Sequence, residues 1–179
     1  MKATGIVRRI DDLGRVVIPK EIRRTMRIRE GDPLEIYTDR DGEVIFKKYS
    51  PMGELGTFAG ELAEALARTS GFSCAICDRD AVIAAAGGAK KDLLEKAISP
   101  DFELLMEQRH IYEHDGSDQG ISLSGNDGYR VLVAAPIITE GDVTGSVAFL
   151  CEDGSTTPTE IEAKLSQTAA NFLSKHVTM

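Results

Sequence analysis

The first 50 residues combine a concentration of positive charge with too little apolar bulk to form a core of their own. From Met1 to Arg29 there are nine lysines and arginines against three aspartates and glutamates, a net charge of +6 in a chain whose overall charge is −8. A segment this short with so few large apolar side chains cannot bury a self-sufficient core. It contains no cysteine or histidine that could stabilise it through a disulfide or a metal site. We therefore expect dimerisation with interleaved strands.

Two short strands and a helix are predicted within this segment. The β-branched residues at 4–10 and 15–18 indicate strands, and Asp11-Asp12-Leu13-Gly14 between them has the composition of a tight turn. Pro19 suits the first position of a helix. Along that helix Ile22 and Met26 are four residues apart and predicted to face inward.

The next part of the segment predicts a β-hairpin. Residues 34–37 and 44–47 are apolar and β-prone, and Asp39-Arg40-Asp41-Gly42 lies between them. The Asp-Gly ending of this tetrapeptide is a strong hairpin signal.

The local excess of positive charge indicates a polyanionic partner. The alternative is that the arginines form a solvated face or pair with Asp11, Asp12 and Glu21. Nine bases against three acids on one small frame favour contact with nucleic acid, because arginine pairs bidentately with phosphate and with guanine edges.

The run GIVRRIDDLGRVVIPKEIRRTMRIREGDPLEIYTDRDGEVIFKKY resembles the AbrB-type swapped-hairpin DNA-binding domain nearly from end to end. The resemblance implies a β-rich dimeric barrel in which two chains interlock and the loop and helix arginines face double-stranded DNA. The matching positions are Arg8, Arg15, Arg23 and Arg24, with Arg9, Lys20 and Lys2 as further candidates. The longer chain resembles sporulation transcription regulators of endospore-forming bacteria, which implies activation or repression of spore-development genes.

Composition sets the class of protein. With 179 residues, of which 42% are hydrophobic, the chain is expected to be globular, with room for one domain or two small ones. No apolar run approaches the roughly 18–20 residues that a membrane helix needs, and the Met-Lys start lacks the apolar stretch of a signal peptide. Three cysteines fit a reducing compartment, so we expect a cytoplasmic protein without contact to membranes.

The distribution of charge predicts the domain boundary. Residues 1–50 have a net charge of +3, whereas residues 51–179 have a net charge of −11 and would be repelled by DNA. We therefore expect a DNA-binding domain at 1–51, a linker helix at 52–70 and a second domain at 71–179 with which that helix packs. The apolar spacing from Met52 to Leu66 fits equally a short coiled-coil seam between chains and a helix packed on its own domain.

The second domain is expected to be an α+β fold with an antiparallel sheet, its first and last helices together on one face. Strands are predicted at 72–77, 81–85, 129–138 and 143–151, with a shorter one at 121–123. Helices are predicted at 92–98 and from Pro100, and a final helix begins at a capping box, Thr157 to Glu160. Its inward residues would be Ile161, Leu165, Ala169, Phe172 and Leu173.

This architecture, together with GYRVLVAAPIITEGDVTGSVAF, resembles a GAF domain of the kind that senses small molecules. The Asn-Lys…Phe…Asp-Glu pattern of cyclic-nucleotide-binding GAF domains is absent. A small-molecule effector is therefore a hypothesis without an assigned ligand site. The small residues from Ala84 to Gly88 would leave room beside the sheet for it, unless a helix packs there instead.

Several possible catalytic or metal sites have simpler interpretations. Cys74 and Cys77 form a C-x-x-C, but in a strand their side chains point to opposite faces, which favours core packing over redox or zinc chemistry. His110 and His114 are four apart, where a predicted helix gives way to a polar loop, and we expect them to be solvated. No catalytic set, metal site or cofactor is predicted.

The sequence therefore predicts a sequence-selective transcription regulator that binds duplex DNA as a dimer, or as a dimer of dimers through its second domain. Two rival classes remain. One is an antitoxin-like DNA-binding interaction module, in which a disordered tail would stand where this chain has a folded-looking domain. The other is a metabolite-processing enzyme with an accessory basic domain, for which the sequence offers no catalytic residues.

Overall fold

The structure is a computed structural model that describes residues 4–117, 120–125, 128–152 and 154–177. It divides into two compact units, Met1–Tyr49 and Ser50–Met179. We call them the N-terminal unit and the C-terminal unit.

The N-terminal unit contains one short helix and one β-hairpin. The helix is α1 (Lys20–Thr25), and the hairpin consists of β1 (Leu34–Thr38) and β2 (Val44–Lys48). The two strands are antiparallel, with Ile36 opposite Phe46. Gly42 in the connecting turn has a φ of +82°, which accounts for glycine at that position.

The predicted strands at 4–10 and 15–18 have no strand partner among the described residues of this chain. The Asp11–Gly14 turn between them is present, with the Gly14 amide donating to the Asp11 carbonyl and the Asp11 amide to that of Arg15, both at 3.0 Å. Beyond the turn the two segments form no backbone ladder with each other. The β-prone sequence predicts extended backbone, but it does not specify which chain supplies the partner.

The C-terminal unit contains a five-stranded antiparallel sheet in the order β4-β3-β7-β6-β5. The predicted α+β fold is confirmed. Its elements are α2 (Pro51–Glu54), α3 (Gly56–Ser70), β3 (Ser73–Asp78), β4 (Val82–Ala86), α4 (Lys90–Leu93), α5 (Pro100–Glu107), β5 (Tyr112–Glu113), β6 (Arg130–Thr139), β7 (Asp142–Cys151) and α6 (Glu160–Ser174).

Each face of this sheet has its own buried core. On one face Cys74 and Ile76 of β3 pack in a cluster to which α3 and α6 contribute, so the first and last helices share a face as predicted. On the other face Ala75 and Cys77 pack with Phe102 of α5. The alternation along β3 follows from the two-residue period of a strand. Because helices of the same chain cover both faces of the sheet, the hydrophobic core of this unit is complete within one chain.

The final helix is capped two residues later than predicted, and the face that it buries agrees only in part with the predicted one. The capping box is formed by Thr159 and Glu162, whose carboxylate accepts from the Thr159 amide at 2.7 Å. Burial alone would raise the pKa of Glu162, but the hydrogen bonds from Thr159 lower it below its usual value. Ile161 and Phe172, predicted to face inward, are 62% and 43% exposed, so the predicted inward face is wrong at these positions. The buried positions are Glu162, Ser166, Ala169, Ala170 and Leu173.

Two further predicted elements were wrong. The helix expected at 92–98 ends at Leu93, because Ala97 instead pairs with Ala81 in an isolated antiparallel bridge. That pairing draws the chain back toward the sheet, and Glu95 takes a positive φ of 64° at the bend. Residues 121–123 form no strand, although the Ile121 carbonyl accepts from the Val131 amide at 2.8 Å.

The close packing of β3 against β7 can be tested by adding a side-chain atom between the two strands. Gly145 lies against the carbonyl group of Cys77, and a Cβ added at Gly145 would collide with that oxygen. We expect Gly145→Ala to lower the free energy of unfolding by about 2 kcal/mol, because the strands would have to move apart. Urea denaturation of the full chain, followed by circular dichroism, measures the change.

Gly60→Ala in α3 is the matched control, since a Cβ there meets no atom within 4 Å. It should stabilise the chain by about 0.5–1 kcal/mol through helix propensity. Equal stabilities for the two variants would contradict the described packing.

Candidate nucleic-acid interface

Helix α1 presents the basic side chains of the N-terminal unit to solvent. Lys20, Arg23 and Arg24 are all exposed, and their spacing of three and four residues makes Lys20 a neighbour of both arginines on the helix surface. Pro19 precedes the helix and is buried, and Ile22 is half-buried on its inner side. Met26, predicted to face inward, is 49% exposed in the single chain. The helix therefore offers a cationic outer face.

The end of α1 is fixed by a Schellman-type arrangement. The Ile28 amide donates to the Arg23 carbonyl at 2.8 Å and the Arg27 amide to the Arg24 carbonyl at 3.3 Å. Arg27 takes the left-handed conformation with a φ of 51°, a position where glycine is usual. The ending orients the last turn, and with it Arg23, whose Nε donates to the Ile18 carbonyl at 3.2 Å.

A buried carboxylate ties this helix end to the hairpin. Asp32, whose side chain is only 4% exposed, accepts from the Arg29 amide at 2.8 Å and lies 3.4 Å from Lys48 Nζ. Lys48 also donates to the Arg27 carbonyl at 2.8 Å. These contacts connect β2 to the segment that follows α1, so the arginine-bearing helix is held against a defined frame.

The turn before α1 carries one further candidate, Arg15. Asp11 Oδ1 accepts from the amides of Leu13 and Arg15, at 3.0 and 2.7 Å, and Asp11 Oδ2 accepts from Arg15 Nε at 2.9 Å. These bonds from Arg15, first the amide and then the guanidinium, hold the pKa of Asp11 below its usual value. Arg15 is still 70% exposed.

Most of the predicted DNA-binding side chains have no carboxylate partner. Among the described candidates Arg8, Arg9, Arg15, Arg23 and Arg24, only Arg15 forms an ion pair, with Asp11. The alternative, in which the arginines pair with nearby acids, therefore applies only to Arg15 among these five. All five arginines are exposed. Lys20, the sixth described candidate, is also exposed and forms no ion pair within the described residues. Lys2, the seventh candidate, lies outside them.

The two cysteines of the C-x-x-C motif lie in separate cores. Cys74 faces the α3 side of the sheet and Cys77 faces the α5 side, as the strand period predicts. Burial raises the pKa of Cys74 to about 12 and raises that of Cys77 well above its ordinary value. Both thiols therefore serve packing, because a reactive cysteine needs an accessible thiolate.

The histidine prediction was wrong for His114. His114 follows β5 and is 3% exposed, with Nε2 at 2.7 Å from the Gly154 carbonyl and Nδ1 at 3.3 Å from the Tyr112 hydroxyl. The polar sequence around it suggested a solvated loop. A carbonyl far along the chain instead supplies the partner that makes burial acceptable. His110 is exposed.

Small side chains at the end of β4 are used for packing. Ala84 and Ala86 are buried in the cluster that also holds Ala59 and Ala63 of α3. The structure thus contains a helix packed on this surface, which was the alternative to an effector pocket at Ala84–Gly88. A cavity of about 490 Å³ lies elsewhere, lined by Ser99, Asp101, Gly120, Ile121, Ser122, Gly125, Gly128 and Arg130.

The described residues contain neither a helix that could cross a membrane nor a cluster of side chains that could hold a metal ion. None of the helices in those ranges has the length and apolar character needed to span a bilayer. No group of three or more His, Cys, Asp or Glu side chains in the same ranges is arranged to hold a metal ion.

Comparison with known families identifies relatives of both units. Residues 54–178 match the family model described as stage V sporulation protein T C-terminal, transcription factor. Residues 7–53 match the model described as antidote-toxin recognition MazE, bacterial antitoxin. Stage V sporulation protein T of Bacillus subtilis (strain 168) is 53% identical over 178 residues, which are 99% of each chain. The transition state regulatory protein AbrB of the same organism is 65% identical over 51 residues, 28% of this chain and 52% of AbrB.

Solved structures support the fold of the C-terminal unit. The GAF domain of an Acinetobacter phosphoenolpyruvate-protein phosphotransferase has a TM-score of 0.56 at 14% identity, covering 73% of this chain and 84% of that one. The cofactor-binding GAF domain of the nutrient sensor CodY from Clostridium difficile has a TM-score of 0.52 at 11% identity, covering 66% and 83%. At these identities the similarity establishes a GAF-like fold only.

The packing role of Cys74 and Cys77 can be tested with a thiol reagent. Both thiols should react with Ellman's reagent at least about a hundred-fold more slowly in the folded chain than in urea, because burial removes both access and thiolate. The Cys151→Ser variant, which retains only these two cysteines, gives the cleanest time course. Rapid reaction of either thiol in the folded variant would show that it is accessible.

Proposed function

The chain belongs to the family of stage V sporulation protein T, and on that basis we propose that it is a sequence-selective, DNA-binding transcription regulator of spore-development genes. The N-terminal unit binds the duplex, and the C-terminal unit mediates assembly and regulation. A protein with this role works in the cytoplasm, where the bacterial chromosome lies. No catalytic activity is part of this proposal.

The observation that carries the proposal is the exposed arginine set of the N-terminal unit. Arg23 and Arg24 on α1, with Arg8 and Arg15 before it, project from a frame that leaves their guanidinium groups accessible. Phosphate contacts of this kind supply much of the affinity for DNA, and a minority of bidentate base contacts adds sequence preference. DNA shape contributes the rest of the selectivity.

The exposed apolar surface of the same unit supports a dimer. Among residues 4–49 only Pro19 is buried, and Val7 is 84% exposed. Keeping so many large apolar side chains in water would cost a free monomer stability, and exposed apolar surface of this kind marks an interaction site. We propose that a second copy of this chain covers them by pairing its own 4–10 and 15–18 segments with these. The residues that it would cover include Ile6, Val7, Ile10, Val16, Val17, Ile36 and Phe46.

A second apolar surface, on the C-terminal unit, supports a dimer of dimers. Ile161 and Phe172 lie eleven residues apart on one side of α6, beside its buried residues, and both are exposed. Phe172 contacts Phe58 of α3, with 5.6 Å between ring centroids, so the surface continues onto the neighbouring helix. Burying such a stripe against its equivalent in another copy is the packing of a helix bundle.

The antitoxin alternative is less well supported. The match to the antitoxin family covers only residues 7–53, whereas residues 54–178 match a transcription-factor family. The region where an antitoxin would carry a disordered tail here has a complete sheet with two cores. A small-molecule effector stays a prediction, which the GAF-like fold and the cavity near Arg130 make worth testing.

DNA binding should depend on the α1 arginines. We expect Arg23→Ala or Arg24→Ala to weaken binding at least about ten-fold. Since a dimer presents each residue twice, loss of one phosphate contact per chain should lower the slope of log K against log salt by about 1.8. Fluorescence anisotropy with a labelled duplex at several salt concentrations measures both quantities.

Arg68→Ala is the matched control for this experiment, because Arg68 is an exposed arginine on α3 of the acidic unit. It should leave both the affinity and the salt slope unchanged. If the α1 variants bind DNA with the same affinity and slope as the wild type, these arginines do not contact the duplex.

Substitutions on α6 should abolish the tetramer without dissociating the dimer. We expect the wild-type chain to sediment as a tetramer and Ile161→Glu/Phe172→Glu to sediment as a dimer, because two charges per chain would be buried in the α6 interface. Analytical ultracentrifugation distinguishes the two species.

The control variant is Gln167→Glu/Asn171→Glu, which adds two charges at exposed positions on the outer side of the same helix. It should remain a tetramer. A tetramer with the Ile161 and Phe172 substitutions would exclude this surface as the second interface.

A further inference from the structure

The turn Asp11–Arg15 contains two acidic side chains in a segment that is proposed to approach DNA. Asp11 and Asp12 are adjacent and carry the same charge, but their contacts differ. Asp11 accepts three hydrogen bonds from within the turn. Asp12 has no side-chain partner among the described residues. Negative charge close to phosphates weakens binding, so the three hydrogen bonds that Asp11 accepts indicate a compensating role for this acid.

The geometry of Asp11 divides its two oxygens between backbone and side chain. Oδ1 bonds the Leu13 and Arg15 amides and thereby closes the turn, in which Gly14 has a φ of +78°. Oδ2 bonds Arg15 Nε at 2.9 Å. The same carboxylate therefore fixes the backbone of Arg15 and the inner edge of its guanidinium.

This contact leaves the outer end of the guanidinium available. A guanidinium whose Nε is occupied still has both terminal nitrogens, which form a two-pronged donor. That end-on fork matches two phosphate oxygens or the O6 and N7 atoms of guanine. In the described residues no partner takes the terminal nitrogens of Arg15, and the side chain is 70% exposed.

We infer that Asp11 is a positioning residue for DNA binding, which orders Arg15 before the duplex arrives so that its terminal nitrogens make an end-on bidentate contact. An unrestrained arginine loses many rotamers when it binds, whereas a preordered one loses few. The inference rests on the proposed function, because it requires Arg15 to contact DNA. The low pKa of Asp11 means that the carboxylate is ionised at neutral pH, as the pair requires.

The test compares Asp11→Asn with Asp12→Asn in the full-length protein. Each variant removes one negative charge from the same turn, so electrostatic repulsion falls equally in both. Asparagine at position 11 can still accept the backbone amides through its oxygen but cannot accept from Arg15 Nε. We expect Asp11→Asn to bind about ten-fold more weakly than Asp12→Asn, which corresponds to about three-fold for each copy in a dimer and to the ordinary strength of an exposed ion pair.

A double-mutant cycle with Arg15→Ala separates positioning from loop folding. In the Arg15→Ala background, Asp11→Asn and Asp12→Asn should bind equally, since no guanidinium remains to be ordered. If Asp11→Asn weakens binding by the same factor without Arg15, it acts through the fold of the turn and the inference is wrong. Binding by Asp11→Asn that equals or exceeds binding by Asp12→Asn also overturns it.

Binding to two duplexes of different composition distinguishes a phosphate contact of Arg15 from a guanine contact. If the fork holds phosphate, Asp11→Asn should weaken binding equally to a G·C-rich duplex and to one of A·T pairs only. If it holds guanine, the loss should be confined to the G·C-rich duplex. Failure of the wild-type protein to bind either duplex would instead refute the proposed function.

Discussion

The N-terminal unit depends on apolar side chains that its own chain does not cover. Pro19 is buried, but the valines and isoleucines on either side of the Asp11–Gly14 turn remain in contact with water. The hydrophobic effect makes this arrangement unfavourable for an isolated chain. The amides of the two extended segments bond water in that state, and they would need protein partners once the apolar side chains around them are buried. A second copy that supplies both apolar contacts and ladder partners resolves the two problems together, and it brings two sets of arginines onto one assembly. In the proposed dimer, the assembly that covers the apolar side chains is thus also the one that would present the arginines to DNA.

The C-terminal unit is organised in the opposite way. Its sheet is covered on both faces, and the cores on the two sides contain Phe149 and Phe102, both fully buried. Both cores are completed within one chain, so the exposed apolar residues on α6 are available for association. The acidic charge of this part of the chain disfavours contact with DNA. The division of charge between the units thus parallels the proposed division of roles, in which the unit with the incomplete fold binds DNA and the unit with the complete fold mediates assembly.

Local patterns predicted those parts of the structure that local interactions determine. The Asp11–Gly14 turn, α1, the hairpin around Gly42 and the long strands β6 and β7 all follow from turn chemistry and apolar period. Prediction failed where a distant residue decides the outcome. The Ala81–Ala97 bridge ends α4 early, and the Gly154 carbonyl receives His114 in the interior. On α6, the apolar spacing predicted that Ile161 and Phe172 face inward, but both are exposed, since such spacing does not distinguish burial within a chain from burial between chains. The basic residues of the candidate interface were apparent from composition. The hydrogen bond between Asp11 and Arg15 was not, because it depends on the conformation of the turn.

Hydrogen exchange of the amides in residues 4–18 tests the central claim most directly. In the described chain the amides of Val7, Arg9, Val16 and Val17 have no hydrogen-bond partner, so any protection must come from another copy. The account predicts that these amides are strongly protected in DNA-free protein at high concentration and that protection falls as dilution dissociates the dimer. Exchange at the rate of an unfolded peptide at every concentration would contradict it.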